Sequence, residues 1–279
     1  MTTRYQVIII SPHLDDAVLS LAGTICSLVQ QQMSCLVLNL FAGKPEEIKE
    51  LSAVAAQYLQ EDLGVDTVSL CDPVRWYETR LAEDIAALGA LGVDHQNLDY
   101  LDAIFRGTPA YYSVETALFA DVHPDDQQLV GAICDRIPMF GDRETLFFFP
   151  LGVGNHVDHQ IAFLAGERLR LQGYRVRYYE EFPYCVNPAQ VSKRIADLSI
   201  GLSGQRVDIT EFLNAKIEAV CQYKSQIAAL FQHEENIHAM LHRYSLIIAD
   251  FEQDRFLERF WDVGYYNRQG GTYEISSKK

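Results

Sequence analysis

Two short clusters of histidine and aspartate carry most of the chemistry that this 279-residue chain can perform. The first, Ser11-Pro12-His13-Leu14-Asp15-Asp16, directly follows the β-branched run Val7-Ile8-Ile9-Ile10. The second, His156-Val157-Asp158-His159, follows Thr145-Leu146-Phe147-Phe148-Phe149 and the turn Leu151-Gly152-Val153-Gly154-Asn155. Each run reads as a strand, so each cluster lies just past a strand's C-terminal end, the rim where open α/β sheets bind ligands. His13 and Asp16 are three residues apart, and so are His156 and His159. On the first turn of a helix that spacing points two side chains the same way. Imidazoles and a carboxylate converging on one divalent ion, with an open position for water and a spare carboxylate for proton transfer, outline a metal-dependent hydrolase. Spacing alone offers four ligand candidates plus Asp15 and Asp158, and leaves their roles undivided.

The elements that must position these clusters follow from apolar periodicity. Residues 5–10 read as a strand, and a helix then starts at Asp15 or Asp16 and runs through Val18, Leu21, Ala22, Ile25, Leu28 and Val29. Cys35–Phe41 reads as a second strand, and this β-α-β opening predicts a parallel pair with a right-handed crossover. Helices are expected over 45–63, 80–91, 125–137 and 159–172, and strands over 97–101, 145–149 and 175–179, with Val65–Leu70 a further short strand. Residues 103–123 form no clear element and are expected to loop over the site. From about residue 188 the pattern is mostly helical, notably over 210–231, and Gly270-Gly271 reads as a loop. No internal repeat or low-complexity linker divides the chain, so a single α/β domain over 1–279 with a helical C-terminal part is expected.

Composition narrows the partners. A formal net charge of −15 argues against non-specific binding to nucleic acid or anionic membranes, both of which need basic patches. The longest wholly apolar runs are four or five residues, too short to span a bilayer. Met1-Thr2-Thr3-Arg4 leads into the first strand without a signal-peptide pattern, and the six cysteines form no C-x-x-C pair. Reduced thiols and a cytoplasmic location are therefore expected. Nothing in the pattern reports oligomeric state.

His13-Leu14-Asp15-Asp16 resembles the His-Pro-Asp-Asp signature of the PIG-L/LmbE family of N-acetylglucosaminyl deacetylases, and His156-Val157-Asp158-His159 resembles its His-x-Asp-His signature. The likeness extends to Arg80-Leu81-Ala82-Glu83-Asp84, to Leu101-Asp102-Ala103, and to Lys216 with Tyr223-Lys224-Ser225-Gln226. It implies a Rossmann-like, mostly parallel sheet flanked by helices. It implies Zn²⁺ held by His13, Asp16 and His159, although a His₂-Asp site also accepts Fe²⁺. Asp15 would be the general base. His156 would stabilise the oxyanion or protonate the departing amine, with Asp158 orienting it and favouring its charged form. Arg80 and Asp102 would contact the substrate, a small-molecule amino sugar or its conjugate bearing an N-acyl, expectedly N-acetyl, group. Two departures stand out. Ala17 replaces the Glu often found after the Asp-Asp pair, and Gly154 stands where some members carry a carbonyl-polarising Tyr, a role then absent or supplied elsewhere, with Tyr111 and Tyr112 as candidates.

Other readings compete less well. A catalytically inactive sugar- or nucleotide-binding member of the same fold is the alternative. The first β-α turn, however, lacks Gly-x-Gly-x-x-Gly and carries acids where a phosphate needs bare amides. His123-Pro124-Asp125-Asp126 copies the first signature more literally, but no strong strand precedes it, and it reads as a helix cap. His238 and His242 lack a carboxylate at matching spacing and read as surface residues.

Overall fold

A computed structural model of the chain describes residues 5–46, 48, 50–198, 200–249 and 255–263. In chain order its N-terminal part runs β1 (Val7–Ser11), α1 (Asp16–Gln30), β2 (Cys35–Asn39), α2 (Ala53–Leu63), α3 (Pro73–Leu91), β3 (Asp94–Asn97), α4 (Glu115–Leu118) and α5 (Gln128–Arg136). It continues with β4 (Leu146–Pro150), α6 (Val157–Leu171), β5 (Arg175–Tyr179), α7 (Pro188–Asp197), β6 (Leu202–Asp208), α8 (Leu213–Val220), α9 (Lys224–Phe231), α10 (Asn236–Ile248) and β7 (Leu257–Val263).

The sheet order is β3-β2-β1-β4-β5-β7-β6. The first five strands are parallel, whereas β7 runs antiparallel to both β5 and β6. All residues of β1 and β2, and all of β4 but Leu146, are buried. Helices cover both faces of a parallel sheet, so its central strands read as unbroken apolar runs rather than alternating ones. This is the Rossmann-like architecture expected. From β1 the chain turns towards β2 and β3, and from β4 towards β5, so the order reverses between β1 and β4. That switch point is the crevice where such sheets bind ligands, and both histidine clusters open from it.

Several elements sit differently from their sequence reading. The third strand is Asp94–Asn97 rather than 97–101. Beyond Asn97 the regular pairing gives way to single contacts, such as the Leu98 amide donating to Asn39 O and an isolated bridge between Phe41 and Asp99. Residues 68–70 form a 3-10 turn, not a strand, and Val68 and Leu70 stay largely exposed. The helix expected over 45–63 begins at Ala53, where Ser52 caps it by accepting from the Ala55 amide, and Glu47 lies outside the described residues. The helix expected from 80 starts at Pro73, capped by the Asp72 carboxylate.

The C-terminal part is mainly helical, as expected, but it also supplies β6 and β7. Strand β6 (Leu-Ser-Gly-Gln-Arg-Val-Asp) is polar and mostly exposed, the composition of a protected edge strand, which hides it from an apolar-pattern search. Buried charges tie β7 and α8 to α1. The Glu258 carboxylate accepts from the amides of Gly23 and Thr24 and from the Thr24 hydroxyl, and Lys216 Nζ lies 2.7 Å away and donates to Ser20 O as well. The Gly270-Gly271 loop lies outside the described residues.

Candidate metal and catalytic site

Side chains from the two clusters meet in the crevice. Asp16, the first residue of α1, places Oδ2 3.3 Å from His13 Nδ1 and 3.3 Å from His159 Nε2. The outer nitrogens of the two rings are also engaged. His13 Nε2 is 3.0 Å from Asp158 Oδ2, and His159 Nδ1 is 3.2 Å from Glu181 Oε1. A ring that donates outward to a carboxylate keeps its inner nitrogen as a lone-pair donor, the usual support of a metal-binding histidine. Donor atoms of His13, His156 and His159 lie within 4.8 Å of one another, as do those of His13, Asp102 and Asp158.

The donor set fits a divalent cation. Burial works against charge on the imidazoles, yet neighbouring carboxylates hold His13 well above the ordinary imidazole value and His159 at about 9. Burial also pushes Asp16 up, but His159 and His13 outweigh it and hold the carboxyl well below the usual range. The carboxylates around His13 and His159 thus favour positive charge between those two rings. Asp15 behaves otherwise. Burial, opposed by Arg80 and reinforced by Asp16, raises its carboxyl to about 6.

The remaining expected site residues are also gathered. Arg80 reaches in from α3, with Nη2 3.1 Å from Asp15 Oδ2 and its guanidinium over the Trp76 ring. Its acidic neighbours on the helix are engaged elsewhere. Glu83 accepts from the Ser225 amide and hydroxyl and Asp84 from the Tyr223 hydroxyl, so α3 is braced against the end of α8 and the start of α9. Asp102 caps the turn at Ile104 through Oδ1 and keeps Oδ2 3.7 Å from His13 Nε2.

His156 caps α6, its Nδ1 accepting from the Asp158 amide, with its ring edge-on to His13. The Asp158 carboxylate does not reach it. Fully buried, it turns to His13, to the Ala103 amide and to Arg106, whose Nη2 lies 2.6 Å from Oδ1 in a close ion contact angled away from a hydrogen bond. The expected support of a charged His156 is therefore absent. Burial and then neighbouring His13 push its imidazole down to about 3, and Asp158 only partly opposes them. Immediately before it, Asn155 adopts a left-handed backbone (φ 67°) and donates its side-chain amide to Phe119 O. Such local strain, of order 1–3 kcal/mol, is characteristic of functional turns.

Sequence reasoning missed four residues. Glu181, after β5, is fully buried and accepts from the Gly152 and Val153 amides as well as facing His159. Arg106 meets Asp158 and is itself held by Asp126, both from outside the two signatures. Tyr184 fills the space that a side chain at 154 would occupy. Gly154 has φ 90°, and a Cβ there would come within 3.3 Å of the Tyr184 ring. Tyr112 is spoken for, since its hydroxyl accepts from the His123 amide, and Tyr111 stacks on His123 at 4.2 Å. Only Tyr184 had a usable signal, as a tyrosine shortly after a strand on the same rim.

Residues 8–169 match the model of the PIG-L family, described as GlcNAc-PI de-N-acetylase. The chain belongs to the PIG-L family. It is 34% identical over 233 residues to 2'-N-acetylparomamine deacetylase of Niallia circulans, covering 81% of this chain and 82% of that protein. A solved deacetylase of the teicoplanin biosynthesis pathway is 28% identical with a TM-score of 0.76, over 95% of this chain and 100% of that one. The zinc-inhibited form of teicoplanin deacetylase is 27% identical with a TM-score of 0.74, over the same shares. PIG-L proteins are metal-dependent deacetylases, and this chain is a hydrolytic enzyme of that kind. No helix among the described residues is long and apolar enough to cross a membrane, and the six cysteines are free.

Proposed function

We propose that the protein removes an N-acetyl group from an amino sugar or its conjugate, releasing acetate and a free amine, with a zinc ion held by His13, Asp16 and His159. The observation that carries this reading is Asp16 Oδ2, which lies 3.3 Å from an inner nitrogen of each histidine while both outer nitrogens face carboxylates. The named activities of the relatives, on acetylated paromamine and in teicoplanin biosynthesis, support a glycoside carrying an acetylated amine. Two imidazoles and a carboxylate form a donor set that suits zinc.

A dication held by His13, Asp16 and His159 would supply Lewis acidity to the amide carbonyl and to the attacking water. Asp15 takes the proton from that water, and Arg80, fixed over Trp76, holds the carboxylate in place. A base so positioned contributes about 10²–10⁴-fold in rate. His156, at the mouth of α6 and neutral in its buried setting, donates a hydrogen bond to the oxygen that gains charge. Asp102 and Tyr184 line the opening where the sugar would sit. The test is release of acetate from N-acetylglucosamine conjugates before and after chelator treatment. Activity lost to chelator and restored by zinc supports the reading, and activity indifferent to both contradicts it.

A further inference from the structure

The sequence His123-Pro124-Asp125-Asp126 copies the first metal signature, yet it lies away from the metal cluster. Its first residues cap a turn, since His123 Nδ1 accepts from the Asp125 amide. Asp126 does something else. It is 3% exposed, and its Oδ2 accepts from Arg106 Nε at 2.8 Å. Arg106 is itself 7% exposed, donates from Nη1 to Leu101 O, and lies over the Phe41 and Tyr112 rings. Its remaining arm, Nη2, meets Asp158 Oδ1 at 2.6 Å, and Asp158 Oδ2 faces His13 Nε2 at 3.0 Å. The result is one buried line of alternating charge, Asp126–Arg106–Asp158–His13, crossing from the start of α5 to the end of β1.

The geometry points to Asp126 and Arg106 as positioning residues that set His13 through Asp158. This rests on His13 being a metal ligand, as proposed above. A fully buried carboxylate needs a cation, and Arg106 supplies one to Asp158. A guanidinium has a rigid fork, however, so each arm needs its own acceptor if the plane is to stay fixed. Asp126 takes Nε and Leu101 O takes Nη1, which leaves Nη2 alone for Asp158. Asp126 thereby shares the guanidinium charge, so Arg106 does not neutralise Asp158 alone, and the second Asp158 oxygen stays an acceptor for the His13 Nε2 proton. That proton leaves the Nδ1 lone pair free for the ion that His13 would share with Asp16. Without Asp126 the whole Arg106 charge falls on Asp158 and competes with His13 for it.

The test compares wild type with Asp126→Asn, which keeps the shape and one acceptor, and Asp126→Ala, which keeps neither. Zinc affinity is read by competition with a coloured chelator, kcat and KM at saturating zinc, and the unfolding midpoint of the metal-free proteins. Outer partners of a metal ligand are worth about 10–100-fold in affinity. We expect zinc affinity to fall by roughly tenfold in Asp126→Asn and further in Asp126→Ala, with KM unchanged. A purely structural role would lower the metal-free midpoint and leave zinc affinity at 20 °C untouched. Unchanged affinity in the near-isosteric Asn variant overturns the proposal, whether or not the Ala variant folds. A wild-type protein that takes up no zinc overturns the earlier reading of the site and this one with it, so the two failures are distinguishable.

Discussion

Glu181 Oε1 lies 3.2 Å from His159 Nδ1, on the opposite side of the imidazole from Asp16. The same carboxylate accepts from the amides of Gly152 and Val153, in the turn that leads to the second signature. One buried side chain after β5 thus shapes the turn and orients the ring. Replacing Glu181 by Gln puts an amide N–H where only acceptors are wanted. The expected result is a loss of metal affinity of about 10–100-fold with the fold retained, measured by chelator competition alongside circular dichroism. Wild-type affinity in this variant would separate Glu181 from the site.

Asp15 is the group expected to accept a proton. Asp15→Asn keeps the size of the side chain and an acceptor for Arg80 but cannot take a proton. Its kcat should fall about 10²–10⁴-fold while bound metal stays at the wild-type level. Single-turnover kinetics and metal analysis on one preparation check both halves. A variant with normal kcat would remove Asp15 from the chemistry.

The buried Lys216–Glu258 pair is structural, and breaking it from one side should be costly. Lys216→Met leaves the Glu258 carboxylate facing the Gly23 and Thr24 amides without its cation. A loss of about 3–5 kcal/mol in denaturant unfolding is expected, because the remaining charge is stranded in the core. A loss below about 1 kcal/mol, the scale of a surface pair, would contradict this account of the α1–α8–β7 junction.

Glu167 on α6 gives a prediction in pH. Burial raises its carboxyl, but hydrogen bonds from Arg170 (2.8 Å) and the Tyr178 hydroxyl (2.5 Å) outweigh that and lower it below 4.5. A carboxyl lowered in the fold stabilises it above its unfolded value, and the contribution disappears as pH falls through the folded value. The stability gap between wild type and Glu167→Gln should therefore be flat above about pH 5 and shrink below pH 4.5. Urea titrations at several pH values would measure it, and a gap that widens towards acid would reverse the sign assigned here.

Much of the site was legible because its residues sit at strand ends in tight local spacing. His13, Asp15 and Asp16 follow β1 directly, His156 and His159 follow β4, and the buried strands announce themselves as apolar runs. What sequence could not convey was side-chain direction. Asp158 sits two residues from His156, and the natural inference is that it serves that ring. In the fold it faces inward to His13, because Arg106 and the Ala103 amide hold it there. Glu181, Arg106 and Asp126 come from three separate elements, and nothing in their local sequence announces that they meet. The polar edge strand β6 escaped for the opposite reason, since its residues match a loop as well as they match a strand. The short third strand was misplaced by a few residues because its own residues, Asp94-His95-Gln96-Asn97, are all polar, whereas the apolar Leu98 and Leu101 lie just beyond it.

The central claim is that one divalent ion is held by His13, Asp16 and His159. The most direct test is the metal content of the purified wild-type protein beside an Asp16→Ala, His159→Ala double variant, with zinc offered to both. The account predicts about one equivalent of metal in the wild type and almost none in the variant, with the unfolding profile of the metal-free proteins little changed. A wild type that takes up no zinc, or a double variant that binds it as tightly, would contradict it.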